Sequence, residues 1–443
     1  MNLFGTDGIR GIANQDLSCE KAFRLGRAVG LLLPSDKPIG VGKDTRVSSD
    51  MLEAALTAGI ASTGRNVVEL GVITTPGLSY IIKHFDLGGG VMISASHNSF
   101  EYNGLKVFGA DGTKIPDETE MLYSERIMSP EDEGPWPTGE KIGRVIRGNH
   151  LVRSYSDFLK SLPGVDLSDL RILVDTANGS TSAIARDVWR SLCPNADFMN
   201  FSPDGFNINL ECGSTHPGSL ASHVIEGGYD AGFAYDGDGD RCIAVDEQGN
   251  VINGDKLMGV IGLYMAQSGR LAHNTVVGTV MSNYGLERCL SSYGIRLVRT
   301  QVGDRFVLEE MLRGGYSLGG EQSGHIIVAD ILHAGDGIVT SLCIGEILAS
   351  TESTFSELAS VVREIPQVLV NVRAPFPGHI VNLPRVREAV EKVGNELSGV
   401  GRVLVRASGT EPVVRIMVES EDAKIVDECV DYLKRILEEE INP

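Results

Sequence analysis

Asp236, Asp238 and Asp240 stand at alternate positions in Asp236-Gly237-Asp238-Gly239-Asp240-Arg241. The intervening glycines allow a tight loop on which the carboxylates converge, and an all-oxygen donor set suits a hard divalent cation such as Mg²⁺. Without a cation, three carboxylates within five residues repel one another. An EF-hand loop is the rival metal site, because these aspartates match its first three ligand positions and Glu247 its last. Two features oppose it: Arg241 stands where that loop requires glycine, and the flanks read as strands. A solvated acidic turn is the plain alternative.

Ser94-Ala95-Ser96-His97-Asn98 follows directly on a buried-strand pattern. Functional groups gather at the carboxyl ends of strands in open α/β sheets, so a serine there is a candidate covalent nucleophile. The same residues also make turns and helix caps. No G-x-S-x-G surrounds them, which counts against a hydrolase elbow. In Gly319-Gly320-Glu321-Gln322-Ser323-Gly324-His325, Glu321 and Ser323 lie two apart on an extended loop and point the same way. That spacing suits paired sugar hydroxyls, and His325 is of the type that titrates near neutrality. A polar turn explains the stretch equally well. Arg406-Ala407-Ser408-Gly409-Thr410-Glu411-Pro412, with Arg415 beyond, offers forked guanidinium donors, hydroxyls and accessible amides. Such a set cradles phosphate, although Arg415 in a strand also suits a structural ion pair. Arg10 in Gly5 to Gly11, and Gly42-Lys43-Asp44-Thr45-Arg46 after a strand, are weaker signals that also read as ordinary turns. A nucleophilic serine, a metal site, a sugar loop and a separate phosphate cradle together describe phosphoryl transfer on a phosphorylated sugar. The long sequence separation between serine and cradle implies a cleft between domains.

The elements that must position these loops alternate between strand and helix. Lys37–Gly42, Val67–Leu70 and Gly90–Ala95 read as strands, with Met51–Ser62 as a helix. The rhythm resumes at Leu170–Asp175 and continues through Ala231–Tyr235 and Cys242–Val245. It predicts mostly parallel sheets covered by helices. A polar, Glu-, Gly- and Pro-rich stretch over residues 130–149 marks the end of a first unit. The expected division is 1–150, carrying the serine loop; 151–253, carrying the acidic loop; 254–365, carrying the sugar loop; and 366–443, a smaller α+β unit carrying the cradle. In the last unit, Val368–Val372 and Val414–Val418 are expected as strands and Ala423–Glu439 as a helix. The first three units have the look of repeats of one topology, without a strong repeated residue pattern.

The 443 residues include 39 Lys and Arg against 59 Asp and Glu, a net charge of −20. That excess argues against a nucleic-acid-binding surface, and it requires a local positive pocket for any anionic substrate. The opening residues lack the pattern of a signal peptide, and no apolar run reaches the ~18 residues of a membrane span. Seven scattered cysteines without C-x-x-C spacing read as reduced thiols of a cytosolic protein.

The chain resembles the α-D-phosphohexomutase family, and most closely its bacterial glucosamine branch. The likeness is carried by F-G-T-D-G-I-R-G (Phe4–Gly11), S-A-S-H-N (Ser94–Asn98), D-G-D-G-D-R (Asp236–Arg241), G-E-Q-S-G-H (Gly320–His325) and R-A-S-G-T-E-P (Arg406–Pro412), in family order. The opening motif and V-G-D-R (Val302–Arg305) favour the glucosamine branch over the glucose or mannose branch. The resemblance implies four domains around a central cleft, the first three alike. It implies a phosphoryl group on Ser96, and Mg²⁺ held by Asp236, Asp238, Asp240 and that phosphoserine. The implied reaction interconverts glucosamine 6-phosphate and glucosamine 1-phosphate through a 1,6-bisphosphate, supplying amino-sugar and cell-wall precursors. Arg10 and Lys106 are placed near the phosphoserine, with His97 and Arg241 stabilising the transferring group and Lys106 or His325 as general acid/base. By the same resemblance, Glu321 and Ser323 would bind sugar hydroxyls, and Arg406, Ser408, Gly409, Thr410 and Arg415 would grip the phosphate that is not reacting. The partner is a small phosphosugar rather than nucleic acid or membrane; the sequence does not fix an oligomeric state, and a homodimer is compatible with it. One departure stands out: Ser99 occupies the usual proline position after the serine motif, which loosens that loop without removing a reactive group. A phosphoglucomutase/phosphomannomutase differs only in sugar selectivity. A metal-dependent sugar phosphatase has no use for the distal cradle, and a non-catalytic sensor has no use for the serine and aspartates.

Overall fold

The structure is a computed structural model that describes residues 3–5, 7–129, 134–408 and 411–441. Gly409 and Thr410 of the expected cradle therefore lie outside the described residues.

Four sheets follow one another along the chain. The first comprises β1 (Ile9–Ile12), β2 (Ile39–Lys43), β3 (Val67–Val72), β4 (Gly90–Ile93), β5 (Tyr102–Phe108) and β6 (Val145–Arg147), in the order β1-β5-β4-β2-β3-β6. The second comprises β7 (Ile172–Asp175), β8 (Asp197–Met199), β9 (Ala231–Tyr235), β10 (Cys242–Asp246) and β11 (Val251–Ile252), in the order β11-β10-β9-β7-β8. The third comprises β12 (Thr275–Thr279), β13 (Arg296–Thr300), β14 (Leu318–Gly320) and β15 (Ile326–Val328), in the order β13-β12-β14-β15. The last comprises β16 (Gln367–Arg373), β17 (Gly401–Ala407) and β18 (Val413–Ser420), antiparallel in the order β16-β18-β17.

The first three sheets share a nucleus that their sequences hide. In each, three parallel strands are joined by helices, and a fourth strand returns antiparallel to the third: β5 on β4, β10 on β9 and β15 on β14. The sheets are thus less parallel than the strand–helix rhythm predicts, because that return needs only a short hairpin loop. The three return loops are residues 94–101, 236–241 and 321–325. The serine, acidic and sugar motifs therefore occupy the same place in three copies of one unit.

The central strands β4, β9 and β10 are buried at every position, as continuous apolar runs covered on both faces should be. One large apolar core runs through the second and third units and reaches into the first through Leu78, Ile81 and Met92. The first unit adds a core of its own around Leu25, Val41 and Leu56. The last unit has a separate core, in which Val414, Ile416 and Val418 of β18 meet Val426 and Leu433 of the helix Ala423–Ile441. It joins the third unit through polar groups. Arg402 donates to the carbonyls of Val280 and Ser282, both at 2.9 Å, and pairs with the buried Glu419. Asn283 of the third unit donates to the same Glu419 at 3.4 Å.

Candidate active site

Two helix N-termini frame the acidic loop. The helix Thr75–His84 is capped by Thr74, whose hydroxyl accepts from the Gly77 amide, and carries Pro76 in its first turn. Its Thr75 amide donates to the Asp238 carbonyl at 2.9 Å, and the Thr75 hydroxyl donates to Asp238 Oδ2. The helix Gly337–Ser350 is capped by Asp336, and its Gly337 amide donates to the Gly239 carbonyl at 2.9 Å. The acidic loop of the second unit is thus held by the first and the third, with two positive helix ends beside it.

Asp236, Asp238 and Asp240 offer oxygens within 4.8 Å of one another, all buried. Asp238 Oδ1 and Asp240 Oδ1 have no hydrogen-bond partner. Orphaned buried carboxylate oxygens aimed at one point are the donor set a hard divalent cation requires, so these residues fit the metal. Burial, with repulsion from Asp240 and Asp238, holds the Asp236 carboxyl well above its ordinary range. Burial acts the same way on Asp238, but the Lys106 charge with the hydrogen bonds from Lys106 and Thr75 together leave that carboxyl below its ordinary range.

Ser96 sits over this cluster. Its Oγ donates to Asp236 Oδ2 at 2.6 Å and lies 3.3 Å from His97 Nδ1. The residue is fully buried and holds φ +53°, a left-handed conformation uncommon for serine. The acidic loop can approach because position 237 is glycine: a Cβ there would meet the Ser96 carbonyl oxygen at 2.6 Å. Burial, then Arg241 and Arg10, push the His97 imidazole down to about 4, so it is neutral at ordinary pH.

Cations surround the cluster. Lys106 Nζ lies 2.8 Å from Asp238 Oδ2, 2.9 Å from Asp7 Oδ2 and 3.7 Å from Asp240 Oδ2. Burial alone would push its ammonium down, but Asp238, Asp7 and Asp240 more than reverse that and hold it firmly charged. Arg10 pairs with Asp7, and Arg241 Nε lies 3.8 Å from Asp240 Oδ1.

A cavity of about 550 Å³ opens beside these groups. Arg10, His97 and Arg241 line it from the serine end, and Glu321 and His325 from the third unit. Its size suits a small organic ligand. The Gly303 amide holds Glu321 Oε1 at 3.0 Å. His325 is buried, with Nε2 3.8 Å from Asp304 Oδ2 and Nδ1 without a hydrogen-bond partner. A Cβ at Gly324 would strike the Cys242 carbonyl at 2.2 Å, so glycine is what lets the sugar loop dock on β10. Ser323 is exposed and does not line the cavity.

The cradle residues Arg406, Ser408 and Arg415 do not line this cavity either. Arg406 and Arg415 face each other across β17 and β18. Arg415 also donates to Glu411 at 2.9 Å, so the ion pair that is the structural alternative for this arginine is present.

The structure thus brings together Ser96, His97, Arg10, Lys106, the three aspartates, Arg241, Glu321 and His325, and leaves Ser323 and the cradle apart. It also adds Lys114 and Asn209, which no motif contains, and gives partners to Asp44, Arg46 and Asp304, which the motifs contain without a role. Lys114 bridges Asp7 of the first unit and Asp304 of the third, at 2.5 Å to each. Arg46 and Asp44 brace the serine loop from within the first unit, and Asn209 reaches it from the second. The signal for Arg46 is present in the sequence as Asp44-Thr45-Arg46 at the end of a strand, where it is indistinguishable from a turn.

Family models match the chain in order: phosphoglucomutase/phosphomannomutase alpha/beta/alpha domain I over residues 1–131, domain II over 153–249, domain III over 253–365, and the C-terminal domain over 369–436. The phosphoglucosamine mutase of Clostridium novyi is 46% identical over 445 residues, covering 99% of each chain. That of Bacillus cereus is 47% identical over 438 residues, covering 98% of this chain and 97% of the relative. The crystal structure of a phosphoglucomutase/phosphomannomutase family protein from Burkholderia thailandensis has a TM-score of 0.81 at 22% identity, covering 99% of this chain and 97% of that one. The N-acetylphosphoglucosamine mutase of Aspergillus fumigatus, solved with GlcNAc-6P and magnesium, has a TM-score of 0.68 at 18% identity, covering 99% and 96%. These two likenesses are of fold. With four domain models laid end to end and full-length relatives alike at nearly half their positions, the chain belongs to the phosphoglucomutase/phosphomannomutase family.

Proposed function

We propose that this chain interconverts glucosamine 6-phosphate and glucosamine 1-phosphate, with Ser96 as the phosphoryl carrier and glucosamine 1,6-bisphosphate as the intermediate. The observation that carries the chemistry is Ser96 Oγ at 2.6 Å from Asp236, inside a buried trio of carboxylates with unpartnered oxygens. The choice of sugar rests on relatives 46–47% identical over nearly the whole chain that are phosphoglucosamine mutases.

Asp236, Asp238 and Asp240 would hold Mg²⁺, which when bound neutralises charge on the transferring phosphoryl group. Arg10 and Arg241, both on the cavity wall, add donors for the same oxygens. Lys106 neutralises Asp238 and Asp7; as a fixed cation it is assigned to charge balance rather than proton transfer. His97, neutral and 3.3 Å from Ser96 Oγ, supports the serine oxygen as the phosphoryl group leaves or returns. His325, on the cavity wall beside Glu321, is the proton carrier for the attacking sugar hydroxyl, and Glu321 orients the hydroxyls.

The distal phosphate is gripped by Arg406, Ser408, Gly409, Thr410 and Arg415, with Ser323 completing the sugar contacts once the last unit closes. Two guanidiniums facing across a strand pair repel each other, and an anion between them relieves that repulsion. We retain the division 1–150, 151–253, 254–365 and 366–443 for the moving parts. A cytoplasmic setting fits free thiols and a chain whose described residues include no helix long and apolar enough to cross a membrane.

The test is phosphorus NMR of the protein with Mg²⁺, a trace of glucosamine 1,6-bisphosphate and glucosamine 6-phosphate, beside Ser96→Ala. A glucosamine 1-phosphate signal that grows only with intact Ser96, and faster than glucose or mannose 6-phosphate is converted, is the expected result. Free phosphate alone would make the chain a phosphatase and overturn the reading.

A further inference from the structure

Residues 96–102, running from the serine loop into the first residue of β5, turn sharply and carry several backbone carbonyls that side chains satisfy. Four of them converge on one guanidinium. Arg46 Nη2 donates to the carbonyls of Ser96 at 2.9 Å and Asn98 at 2.8 Å. Arg46 Nη1 donates to the carbonyls of Tyr102 at 3.0 Å and Ser99. Its Nε donates to Asp44 Oδ2 at 2.8 Å. A guanidinium has five N–H donors in a rigid plane, and all five are used here.

Asp44 is fully occupied as well. Its Oδ2 also accepts from Ser94 at 2.6 Å, and its Oδ1 accepts from the Arg46 amide at 3.0 Å and Ser49 at 2.9 Å. Ser94 Oγ in turn accepts from the Ser96 amide at 2.9 Å. The Asp44 and Arg46 side chains are 0% exposed. Asn209 of the second unit donates to two of the same carbonyls, Ser96 at 2.9 Å and Asn98 at 3.0 Å. The carbonyl and the amide of Ser96 are therefore both fixed, and with them its left-handed φ and the line from Oγ to Asp236.

We propose that Arg46, braced by Asp44 and joined by Asn209, is a positioning residue for phosphoryl transfer: it sets the backbone of the serine loop so that Ser96 Oγ stays over the acidic trio. The claim rests on the reading of Ser96 as phosphoryl carrier. It supplies the stiffening that Ser99, in place of the usual proline, does not. A buried ion pair is by itself weak evidence for stability, whereas four directed bonds to one short segment specify geometry.

The experiment compares wild type with Arg46→Lys, Asn209→Ala and Ser96→Ala, reading kcat, KM for glucosamine 6-phosphate, thermal midpoint and phosphoserine content by intact mass. Lysine keeps the charge beside Asp44 but cannot reach four carbonyls. The expected result for Arg46→Lys is a kcat ~100-fold lower with KM within about twofold, the signature of a misplaced reacting group. Asn209→Ala is expected to show the same split at roughly 10-fold. A folded Arg46→Lys with wild-type kcat, or a loss carried by KM, overturns the proposal. If Arg46→Lys does not fold, Asn209→Ala decides alone, and an unchanged kcat there overturns it. Activity surviving in Ser96→Ala removes the carrier reading and this proposal with it. An inactive Ser96→Ala beside wild-type-like Arg46 and Asn209 variants removes the positioning role only.

Discussion

The two ends of the site are built differently. At the serine end, Ser96, Lys106 and the three aspartates are buried and already in contact with one another before any substrate arrives. Ser96 contacts Asp236, Lys106 contacts Asp238, and three units meet at the acidic loop. At the distal end, Arg415 leans on its own neighbour Glu411, and the cradle stands off the cavity on a unit with a separate core. Charge-stabilising groups work best when preorganised, because reorienting them during the reaction costs part of what they contribute. Under the proposed function, a phosphate grip has the opposite requirement: it must open to admit a sugar that is then turned end for end. On the proposed function, the contrast separates the part of the molecule that performs the transfer from the part that recognises and retains.

The sharpest way to break this comparison is to damage the prebuilt end. Asp236→Asn or Asp240→Asn should lower kcat by at least ~10²-fold and raise the Mg²⁺ concentration needed for half-maximal rate. Unchanged metal dependence would remove those carboxylates from the metal site. Gly237→Ala should cost ~10²-fold in kcat with little change in KM, because its methyl group must displace the Ser96 carbonyl. Damage to the distal end should read differently. Arg415→Ala is expected to raise KM ~10-fold, the worth of about one charge-assisted hydrogen bond, while metal dependence stays as in wild type. A kcat loss with altered Mg²⁺ dependence would show that the cradle is part of the transfer machinery.

The smallest effect concerns the joint between the two parts. Burial pushes the Asp255 carboxyl up to about 6, against the opposing pull of the Asn283 amide. The neutral acid is thus favoured in the fold. Its contribution is fully present below the ordinary carboxylate value and is lost as pH rises through about 6. Asp255→Asn should therefore melt above wild type at pH 8, by an upper bound of ~3 kcal/mol for a shift of two units. The gap should close near pH 4. Equal midpoints at both pH values would contradict it.

The sequence exposes the ingredients of the prebuilt end and conceals how they are held. Ser96, the aspartate run and the sugar loop are legible because each is a short motif at the end of an apolar run. The strands around them are legible for the same reason, as in Ala231–Tyr235, which appears as β9 at those limits. The antiparallel returns are not, because β5 and β10 look like any other short strand until their pairing is known. Nor are the partners of Arg46, Lys114 and Asp304, although Arg46 and Asp304 lie in stretches that stand out. Arg46 acts on residues about fifty positions away, and Lys114 reaches Asp304 across 190. A lysine or arginine on an unremarkable turn carries no local sign of such a partner. The cradle shows the reverse case: its composition is plain in the sequence, but its distance from the cavity belongs to the packing of a separate unit.

Hydrogen–deuterium exchange with and without glucosamine 1,6-bisphosphate, in the presence of Mg²⁺, tests the contrast directly. The account expects new protection in residues 401–420 of the last unit and in the sugar loop 321–325. It expects loops 94–101 and 236–241 to be strongly protected already and to change little. Strong new protection at the serine and acidic loops, with the last unit unaffected, would mean that the transfer site is assembled by the substrate and would contradict it.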